Sequence, residues 1–369
     1  MSMFECPIVT IETVTKHPNA DKLDIITFKE VGWECIDSIG KRKVGDLVVY
    51  IPVDSIVNTN KQEFAFLKDK AKDNGKYRIR VVKLRGAVSQ GLVVDVPVLD
   101  LGGGIKMLPA VGYDCLSYFG IEEYQPVLHG AYTSIPSNAK GNRPEWIHKT
   151  DEETFQNVNR IIEKYKNEEF IATTKMDGSS ESVFYDSERT GDEFGVTSRK
   201  LERKEFDEKG NDDMFWKVVK KTDLHRKIKE IAQEYGYIKL AYQGELCGPG
   251  VNSNHAGLTD LELFNFYFCG VKYGFQGYLD LDTVLEICNK YDIKRVPYIF
   301  DGMLSYKATE NLDFSFVHDI KYDNGTPVEG AVFTSRKEKT LPDKKLHRLS
   351  FKYINPEFKL YWQKKGENV

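Results

Sequence analysis

Short runs in which apolar and polar residues alternate follow one another through the first hundred residues. They are rich in Val, Ile, Tyr and Phe and are bounded by Gly, Pro, Asn or Asp, which is typical of β-strands separated by turns. The pattern predicts about five strands and a helical stretch over residues 61–70, between the third strand and the fourth. The strands fall within residues 7–17, 22–39, 46–57, 77–86 and 88–98. This arrangement fits a small closed barrel of the OB type, with a β-sandwich as the alternative.

A mixed pattern begins near residue 150. Apolar residues spaced three and four apart follow Thr150 and Glu153, which predicts a helix that opens with a capping box. Further helical stretches are expected near residues 213–235 and 281–291. Predicted strands lie at residues 170–176, 181–186, 238–246, 263–271, 330–335 and 349–354. Because strands and helices alternate without the regular spacing of βαβ units, we expect an α+β domain built on antiparallel β-sheets with flanking helices.

The chain length supports two domains. At 369 residues the chain is longer than one hydrophobic core usually serves. Residues 101–145 are irregular, with three successive glycines at 102–104 and several prolines, and look like a connector. We therefore expect an OB-type barrel over residues 1–125, a connector over 126–149 and a second domain over 150–369.

The positions of the charged residues along the chain are more informative than their total. The total of 52 Lys plus Arg against 56 Asp plus Glu gives a net charge of −4, which argues against coating nucleic acid by bulk charge. Three runs are nevertheless basic: residues 68–85, 199–204 and 336–352. A basic run is usually only a solvated face, but one run lies in the expected barrel, a fold that binds single strands.

Other classes of protein find little support. The six cysteines form no CxxC pair, and the seven histidines, His255 among them, have no metal-binding spacing, so we expect neither disulfides nor a structural zinc. No apolar run is long enough to span a bilayer, and the N-terminus lacks the layout of a signal peptide. We expect a cytoplasmic protein with no membrane partner.

The sharpest chemical feature is Lys175, which ends a predicted strand and is followed by Asp177 and Gly178. A strand that ends in an Asp-Gly turn is common, so the sequence Lys-Met-Asp-Gly alone is weak evidence for a catalytic site. A nucleophilic lysine must be neutral, and a free pKa of about 10.4 leaves roughly one in a thousand neutral at pH 7. A nearby cation that depresses the pKa would meet that need.

Complementary groups follow in order along the chain. Each is more often structural when taken singly, and their ordered combination raises the odds of a site. The groups are Arg199 after a strand, Glu245 before a Gly-Pro-Gly loop, a strand with Phe266 and Phe268, Glu329 at a strand start, and Lys352 near the end.

These segments resemble the motifs of the covalent nucleotidyltransferases, the superfamily of polynucleotide ligases and capping enzymes. The matching segments are Lys175-Met-Asp177-Gly178, Ser198-Arg199, Gly244-Glu245-Leu, the Phe-rich strand that ends at Phe268, Glu329-Gly330-Ala-Val and Phe351-Lys352. Within the superfamily, the chain is most similar to ATP-dependent RNA ligases with an N-terminal OB domain. DNA ligases and capping enzymes carry that domain after the catalytic one. The resemblance implies that residues 150–369 form the nucleotidyltransferase (ligase adenylylation) domain and that residues 1–125 bind nucleic acid.

The resemblance also implies a mechanism and a substrate. Lys175 attacks the α-phosphate of ATP and forms lysyl-AMP, AMP passes to an RNA 5′-phosphate, and a 3′-hydroxyl then displaces AMP. The expected partners are RNA ends or a nicked duplex containing RNA, and the expected state is a monomer. The alternatives are an mRNA-capping guanylyltransferase, a DNA ligase, and a non-catalytic RNA-binding protein.

Roles for individual residues follow from the resemblance. Asp177, Glu245 and Glu329 would hold a hydrated Mn²⁺ or Mg²⁺, Phe268 would stack on adenine with Phe266 as the alternative, and Lys352 would neutralise the α-phosphate. The expected nucleotide-binding residues are Lys175, Asp177, Gly178, Arg199, Glu245, Phe268, Glu329 and Lys352. The expected polynucleotide contacts are Arg78, Arg80, Lys83, Arg85, Arg199 and Lys200.

Two positions depart from the family pattern. Ser350 stands where relatives commonly have the first of two lysines, and Arg348, Lys345 or Lys337 are the candidates to supply that charge. Thr174 precedes the nucleophile where many relatives carry an acidic residue, so the adenine contact on that side would come from backbone or from another side chain.

Overall fold

The computed structural model of the chain describes residues 4–71, 74–100, 102–124, 138–207, 209–308, 312–343 and 346–367. Two compact units emerge from the packing within the chain. One contains the described residues up to 124 together with 153–164 and 359–367, and the other contains 138–152 and 165–358. Half of the expected connector, residues 126–137, lies outside the described part.

The N-terminal 124 residues form mainly short strands. The strands are β1 (Ile8–Lys16), β2 (Leu23–Phe28), β3 (Glu34–Ser38), β4 (Leu47–Ile51), β5 (Ser55–Asn58), β6 (Lys76–Arg78), β7 (Val82–Leu84), β8 (Ala87–Ser89), β9 (Leu92–Asp95), β10 (Leu99–Asp100), β11 (Lys106–Met107) and β12 (Glu122–Glu123). A 3₁₀ helix at Gln62–Lys70 lies where the sequence predicts a helical stretch, and α1 (Leu116–Phe119) follows β11.

The first unit is built from antiparallel sheets. Strands β3-β2-β1-β4-β9 form a five-stranded sheet, and β12-β5-β6 form a second sheet. Burial alternates along β2, as expected for a strand with one face on a core. The two faces of the larger sheet contribute to separate clusters, one around Ile8 and Phe64 and one around Ile26 and Tyr50.

The remaining chain mixes long strands with helices. The strands are β13 (Ala139–Asn142), β14 (Glu153–Thr154), β15 (Glu169–Lys175), β16 (Ser179–Asp186), β17 (Phe194–Thr197), β18 (Leu201–Arg203), β19 (Lys239–Cys247), β20 (Glu262–Lys272), β21 (Phe275–Tyr278), β22 (Tyr298–Met303), β23 (Gly330–Ser335) and β24 (Ser350–Ile354). The α-helices are α2 (Phe155–Ile162), α3 (Met214–Thr222), α4 (Leu224–Tyr235), α5 (Leu281–Lys290), α6 (Leu304–Lys307) and α7 (Pro356–Lys364), with 3₁₀ turns at Glu163–Tyr165 and Ser315–Asp319.

Two antiparallel sheets position the candidate site in the second unit. One runs β13-β18-β17-β16-β19-β20-β21, and the other includes β24-β23-β15-β22. Helices α3, α4 and α5 cover one face of the larger sheet, where Val219, Ile228, Val284 and Phe268 share a buried core. The opposite face of the larger sheet lies towards the second sheet. The prediction of an α+β domain is confirmed.

Two local predictions differ from the structure. The capping box of Thr150 and Glu153 does not form. Helix α2 instead begins at Phe155 after Thr154, and the Glu153 carboxylate accepts hydrogen bonds from the Thr154 backbone N–H and the Asn157 amide. A single cut near residue 150 also differs from the packing. Gly32 N–H donates to the Gln156 carbonyl, so α2 packs with the N-terminal unit.

Within the described residues, no helix combines the length and the apolar character needed to cross a bilayer.

Candidate active site

Lys175 lies at the last position of β15, where the strand reaches a cleft between the two sheets. Its Nζ lies 2.5 Å from Glu329 Oε2, and both side chains are only partly exposed. The strand register explains the contact, because Lys175 pairs with Gly330 and Glu329 immediately precedes that glycine. Sequence analysis predicted both residues, and the structure brings them together.

The surroundings of Lys175 keep it protonated. Burial by itself would lower the pKa of the lysine, but the carboxylate of Glu329, with Glu245 and Asp177, raises that pKa above its ordinary value. A protonated amine cannot attack phosphorus. The lysine therefore needs a positive charge nearby, or a partner that takes Glu329 away, before it can act as a nucleophile.

Gly178 allows the chain after Lys175 to lie against β19. A side chain at this position would clash with the Leu246 carbonyl and would come within 2.8 Å of Glu245 Cγ. In the ladder between β16 and β19, Ser180 pairs with Glu245. The glycine thus brings the Lys175 turn close to the Glu245 carboxylate.

Three carboxylates surround the single ammonium of Lys175. Burial raises the pKa of Glu245 to about 8; Lys175 opposes this shift, and Glu329 and Asp177 add to it. Within the described residues, no three His, Cys, Asp or Glu side chains are close enough to ligate one metal directly. The donor set nevertheless fits a hydrated Mn²⁺ or Mg²⁺, because it is made of oxygen atoms and carries excess negative charge.

Asp177 is held by two residues that sequence analysis did not assign to the site. His255 Nδ1 lies 2.5 Å from Asp177 Oδ2, and the buried ring also contacts the edge of Phe358. Asn252 donates to Asp177 Oδ1 at 3.4 Å and to the Gly178 carbonyl at 2.5 Å. Both residues lie in the loop after β19. Its Gly-Pro-Gly sequence predicts a loop, but nothing in the sequence distinguishes His255 from an ordinary histidine.

Tyr322 links the backbone of three site residues. Its hydroxyl donates to the Lys175 carbonyl at 3.2 Å and accepts from the N–H groups of Asp177 at 3.3 Å and Glu329 at 3.4 Å. Burial raises the pKa of Tyr322, so the phenol stays neutral and can keep its proton for Lys175. No motif in the sequence marked this tyrosine.

Lys352 shares a face of the smaller sheet with Lys175. Val332 pairs with Thr173 on one side and with Lys352 on the other. Residues directly opposite on neighbouring strands point to the same face, and so do residues two apart on one strand. The partly buried Lys352 therefore projects to the same side as Lys175, as its predicted role requires.

Ser350 belongs to a cluster of hydroxyl groups on that same face. The Tyr267 hydroxyl lies 2.8 Å from Thr334 Oγ1 and 3.2 Å from Ser350 Oγ, and it donates to Glu152 at 2.9 Å. A neutral hydroxyl that hydrogen-bonds with neighbouring hydroxyls thus stands at the position where a lysine was expected.

The structure gives other roles to the candidates for the missing charge. The Arg348 guanidinium lies over the rings of Tyr267 and Tyr278 at 4.0 and 4.2 Å, and it forms ion pairs with Glu338 and Glu152. Lys337 is exposed and pairs with Asp282. Lys345 lies outside the described residues.

The choice of Phe268 as the adenine-stacking residue is wrong. Its ring is fully buried under the helices and packs edge-on against Tyr242. A register shift between β19 and β20 falls at Gln243 and Gly244, where Gln243 pairs with Tyr267 and Gly244 with Asn265. This bulge leaves Phe266 between the two sheets, where it is partly exposed and lines a cavity with Thr173. Phe266, the alternative from sequence, therefore fits the stacking role.

The predicted polynucleotide contacts fall into different environments. Arg199 is 62% exposed and pairs with Asp151 at 2.7 Å. Lys83 and Arg85 are exposed on the hairpin of β7 and β8, and Lys200 is exposed after β17. Arg80 is partly buried.

Arg78 does not fit the role predicted for it. Its guanidinium lies 2.6 Å from Asp54 Oδ1 and 3.7 Å from the centre of the Tyr124 ring. The side chain is only 10% exposed, so these contacts assign it to the fold of the first unit.

Comparison with protein families gives two matches. A family model described as RNA ligase matches residues 168–354, which include Lys175, Glu245, Glu329 and Lys352. A model described as an OB-fold domain matches residues 6–96. Comparison with curated protein sequences gave no match.

Solved structures of Naegleria gruberi RNA ligase resemble the whole chain. A variant with AMP and Mn has 24% sequence identity and a TM-score of 0.74, over 97% of this chain and 99% of that one. A variant with ATP and Mn has 23% identity and a TM-score of 0.70 over 99% and 100%, and a structure with PPi has 24% and 0.73 over 99% and 100%. The predicted fold, an N-terminal OB domain before a β-rich ligase domain, is confirmed.

Proposed function

Because this chain belongs to the RNA ligase family, we propose that it is an ATP-dependent enzyme that joins an RNA 3′-hydroxyl to a 5′-phosphate through a lysyl-AMP intermediate. The observation that carries the proposal is the position of Lys175, at a strand end and in contact with Glu329, with Glu245 and Asp177 close by. Mn and ATP occur with the Naegleria relative, and we extend both to this chain.

In the first step, the neutral Nζ of Lys175 attacks the α-phosphate of ATP and pyrophosphate leaves. One N–P bond forms as one P–O bond breaks, and the ammonium proton passes beforehand to solvent water. Lys352 projects from the same face of the sheet and would balance negative charge on the α-phosphate. Catalysis of such a displacement rests on positioning and charge stabilisation.

In the second and third steps, the same phosphorus accepts an RNA 5′-phosphate oxygen and Lys175 leaves. The 3′-hydroxyl then attacks the activated 5′-phosphate and AMP leaves. The exposed guanidinium of Arg199 would contact the terminal phosphate during the transfer, by exchanging Asp151 for the nucleic acid.

A divalent cation would be held through water by Glu245, Glu329 and Asp177, and its charge would lower the pKa of the lysine and neutralise phosphate oxygens. The residues themselves show why it is needed. Glu329, with Glu245 and Asp177, stabilises the ammonium form of Lys175, and burial destabilises Glu245 as an anion.

The test is intact-mass analysis after incubation with ATP and Mn²⁺. We expect the wild type and the control Lys217→Ala, an exposed lysine on α3, to gain one AMP, and Lys175→Ala to gain none. The absence of an adduct in the wild type would overturn the proposal and would favour a non-catalytic RNA-binding protein.

Labelled GTP and sealing assays separate the other candidates. A GMP adduct formed in place of an AMP adduct would indicate a capping enzyme. Nicked duplexes with RNA or DNA at the 3′-hydroxyl side test the substrate, and we expect sealing only where RNA supplies that end. Sealing of an all-DNA nick at an equal rate would indicate a DNA ligase. We also propose that the enzyme acts as a monomer on nicked duplexes.

A further inference from the structure

Arg295 occupies a fixed position between the two sheets of the ligase domain. The Asn265 N–H donates to the Lys294 carbonyl at 2.8 Å, and the Val296 N–H donates to the Asn265 carbonyl at 3.0 Å. On the other side, the Thr174 N–H donates to the Pro297 carbonyl at 2.8 Å. The segment 294–297 is thus hydrogen-bonded both to β20 and to β15, next to Lys175.

The guanidinium of Arg295 has no polar partner among the residues that the structure describes. Its Nε is buried without a hydrogen bond, and no described carboxylate lies within ion-pair distance. Burial lowers the pKa of Arg295, and the thiol and phenol groups of Cys288, Tyr267 and Tyr242 oppose that shift only in part. A partly buried cation whose Nε lacks a hydrogen-bond partner is stabilised when a ligand supplies acceptors.

The cavity that Arg295 lines lies beside the nucleophile. Thr173, Phe266, Tyr267 and Thr334 line it as well. Thr173 is two residues before Lys175 on the same face of β15, which places it about 7 Å along the strand at roughly 3.4 Å per residue. In the proposed mechanism the phosphates of a bound nucleotide meet Lys175, so the partly exposed ring of Phe266 and the Arg295 guanidinium would lie on the base side of the nucleotide.

We propose that Arg295 reads the edge of the purine base by donating hydrogen bonds to its acceptor atoms. The inference rests on the proposed function, because it assumes that a nucleotide binds beside Lys175. A guanidinium only donates, so it recognises a ring nitrogen or a carbonyl oxygen and not an exocyclic amine. Thr174, where relatives commonly have an acid, supplies no carboxylate to accept from the 6-amino group of adenine.

This geometry has a consequence for the choice of base. Guanine offers O6 and N7 to an arginine, whereas adenine offers ring nitrogens only. Arg295 therefore stabilises bound guanine at least as well as bound adenine, and it weakens the discrimination between ATP and GTP.

The experiment compares the wild type with Arg295→Met, which keeps an unbranched apolar stem and removes the donors, and with Arg295→Lys, which restores a donor. Initial rates of adduct formation are measured with ATP, 1-deaza-ATP, 7-deaza-ATP and GTP. We expect Arg295→Met to raise the KM for ATP about tenfold or more, the loss typical of a hydrogen bond to a charged group, with little change in kcat and partial recovery in Arg295→Lys.

The deaza analogues distinguish a hydrogen bond between Arg295 and the base from a purely structural role of Arg295. One of them should bind about tenfold more weakly than ATP to the wild type, and as well as ATP to Arg295→Met. Equal KM values for ATP in the wild type and Arg295→Met would overturn the inference. It would also be overturned if both analogues bound more weakly than ATP by the same factor in the wild type and in Arg295→Met. If the wild type forms no adduct at all, the proposed function itself fails, which is a separate result.

Discussion

At the residue scale, two phenylalanines two positions apart in β20 have opposite roles. Phe266 faces the cavity beside Lys175, and Phe268 is buried in the core beneath the helices. Stacking of a base on an aromatic ring is worth about 1–3 kcal/mol, and truncation of a core phenylalanine costs about 3–5 kcal/mol. We expect Phe266→Ala to raise the KM for ATP about tenfold with little change in Tm. Phe268→Ala should lower the Tm and leave the KM of the remaining folded enzyme unchanged.

Adduct kinetics and thermal denaturation of both variants check this prediction. A rise in KM for Phe268→Ala with an unchanged Tm would contradict it. The sequence could not separate the two rings, because strict alternation along β20 places them on one face. The bulge opposite Gln243 and Gly244 places the two rings on opposite faces, and this bulge depends on how β19 and β20 pair.

The charged groups of the site differ in how far the sequence reveals them. Lys175, Glu245 and Glu329 lie at strand ends within recognisable motifs, and the structure brings them together. His255 lies 78 positions from Asp177 and belongs to a loop without regular periodicity. Neither spacing nor composition distinguishes it from an ordinary buried histidine, so this contact becomes visible only in the folded chain.

At the element scale, periodicity predicts the strands of the smaller sheet closely but misplaces the start of helix α2. The predicted strands 330–335 and 349–354 lie within one residue of β23 and β24. The start of α2 was misplaced because Thr150 and Glu153 match a capping box in sequence, whereas the chain at 153–154 is extended and Thr154 precedes the helix. Local side chains did not decide this start, since the segment pairs with Gly32 of the first unit.

Strand β16 contains a buried carboxyl that the proposed chemistry does not use. Glu181 is fully buried opposite Gly244, and neither oxygen has a hydrogen-bond partner among the described residues. Burial raises the pKa of Glu181 well above the ordinary 4.5, and nearby Asp213 adds to the shift. The folded state therefore holds the neutral acid, while the unfolded state ionises as the pH rises above about 4.5.

This carboxyl gives a prediction for stability against pH. A raised pKa in the folded state means that the contribution of Glu181 is fully present below the unfolded pKa and is lost as the pH rises above it. We expect Glu181→Gln to leave the Tm nearly unchanged at pH 4 and to raise it by several degrees at pH 8, since 1 kcal/mol corresponds to roughly 2–4 °C in a domain of this size. Differential scanning calorimetry at both pH values tests it, and an equal shift at the two values would be the contrary result.

At the scale of the whole molecule, the net charge of −4 conceals where the cations lie. The basic run at 68–85 contains both Arg78, which is enclosed by Asp54 and Tyr124, and the exposed pair Lys83 and Arg85. Charge counting treats these residues alike. Burial separates the arginine enclosed within the first unit from the side chains that are exposed to solvent.

The hairpin of β7 and β8 is suited to present these charges. Its two-residue turn has positive φ at both Arg85 and Gly86, a tight reversal that leaves the side chain of Arg85 in solvent. Asn19 donates to the Arg85 carbonyl at 3.1 Å, and the His17 ring lies 2.9 Å from the Leu84 carbonyl. These contacts fix the turn, so the cationic tip is held in place before any nucleic acid binds.

We therefore expect the double variant Lys83→Ser and Arg85→Asn to weaken RNA binding and to slow sealing of nicked RNA. Asn tolerates the positive φ that Arg85 adopts, so the hairpin should survive.

If each cation contacts one phosphate, the slope of log K against log salt should fall by about 1.4 for single-stranded RNA, at about 0.7 per contact. Binding titrations at several salt concentrations measure the slope, with Lys106→Ser, an exposed lysine of β11, as the matched control. AMP adduct formation should stay at the wild-type rate, because in the proposed mechanism lysyl-AMP forms in the ligase domain without RNA. An unchanged salt slope would show that the hairpin is not where the polynucleotide binds. A loss of adduct would contradict the expectation that these substitutions leave the ligase domain intact.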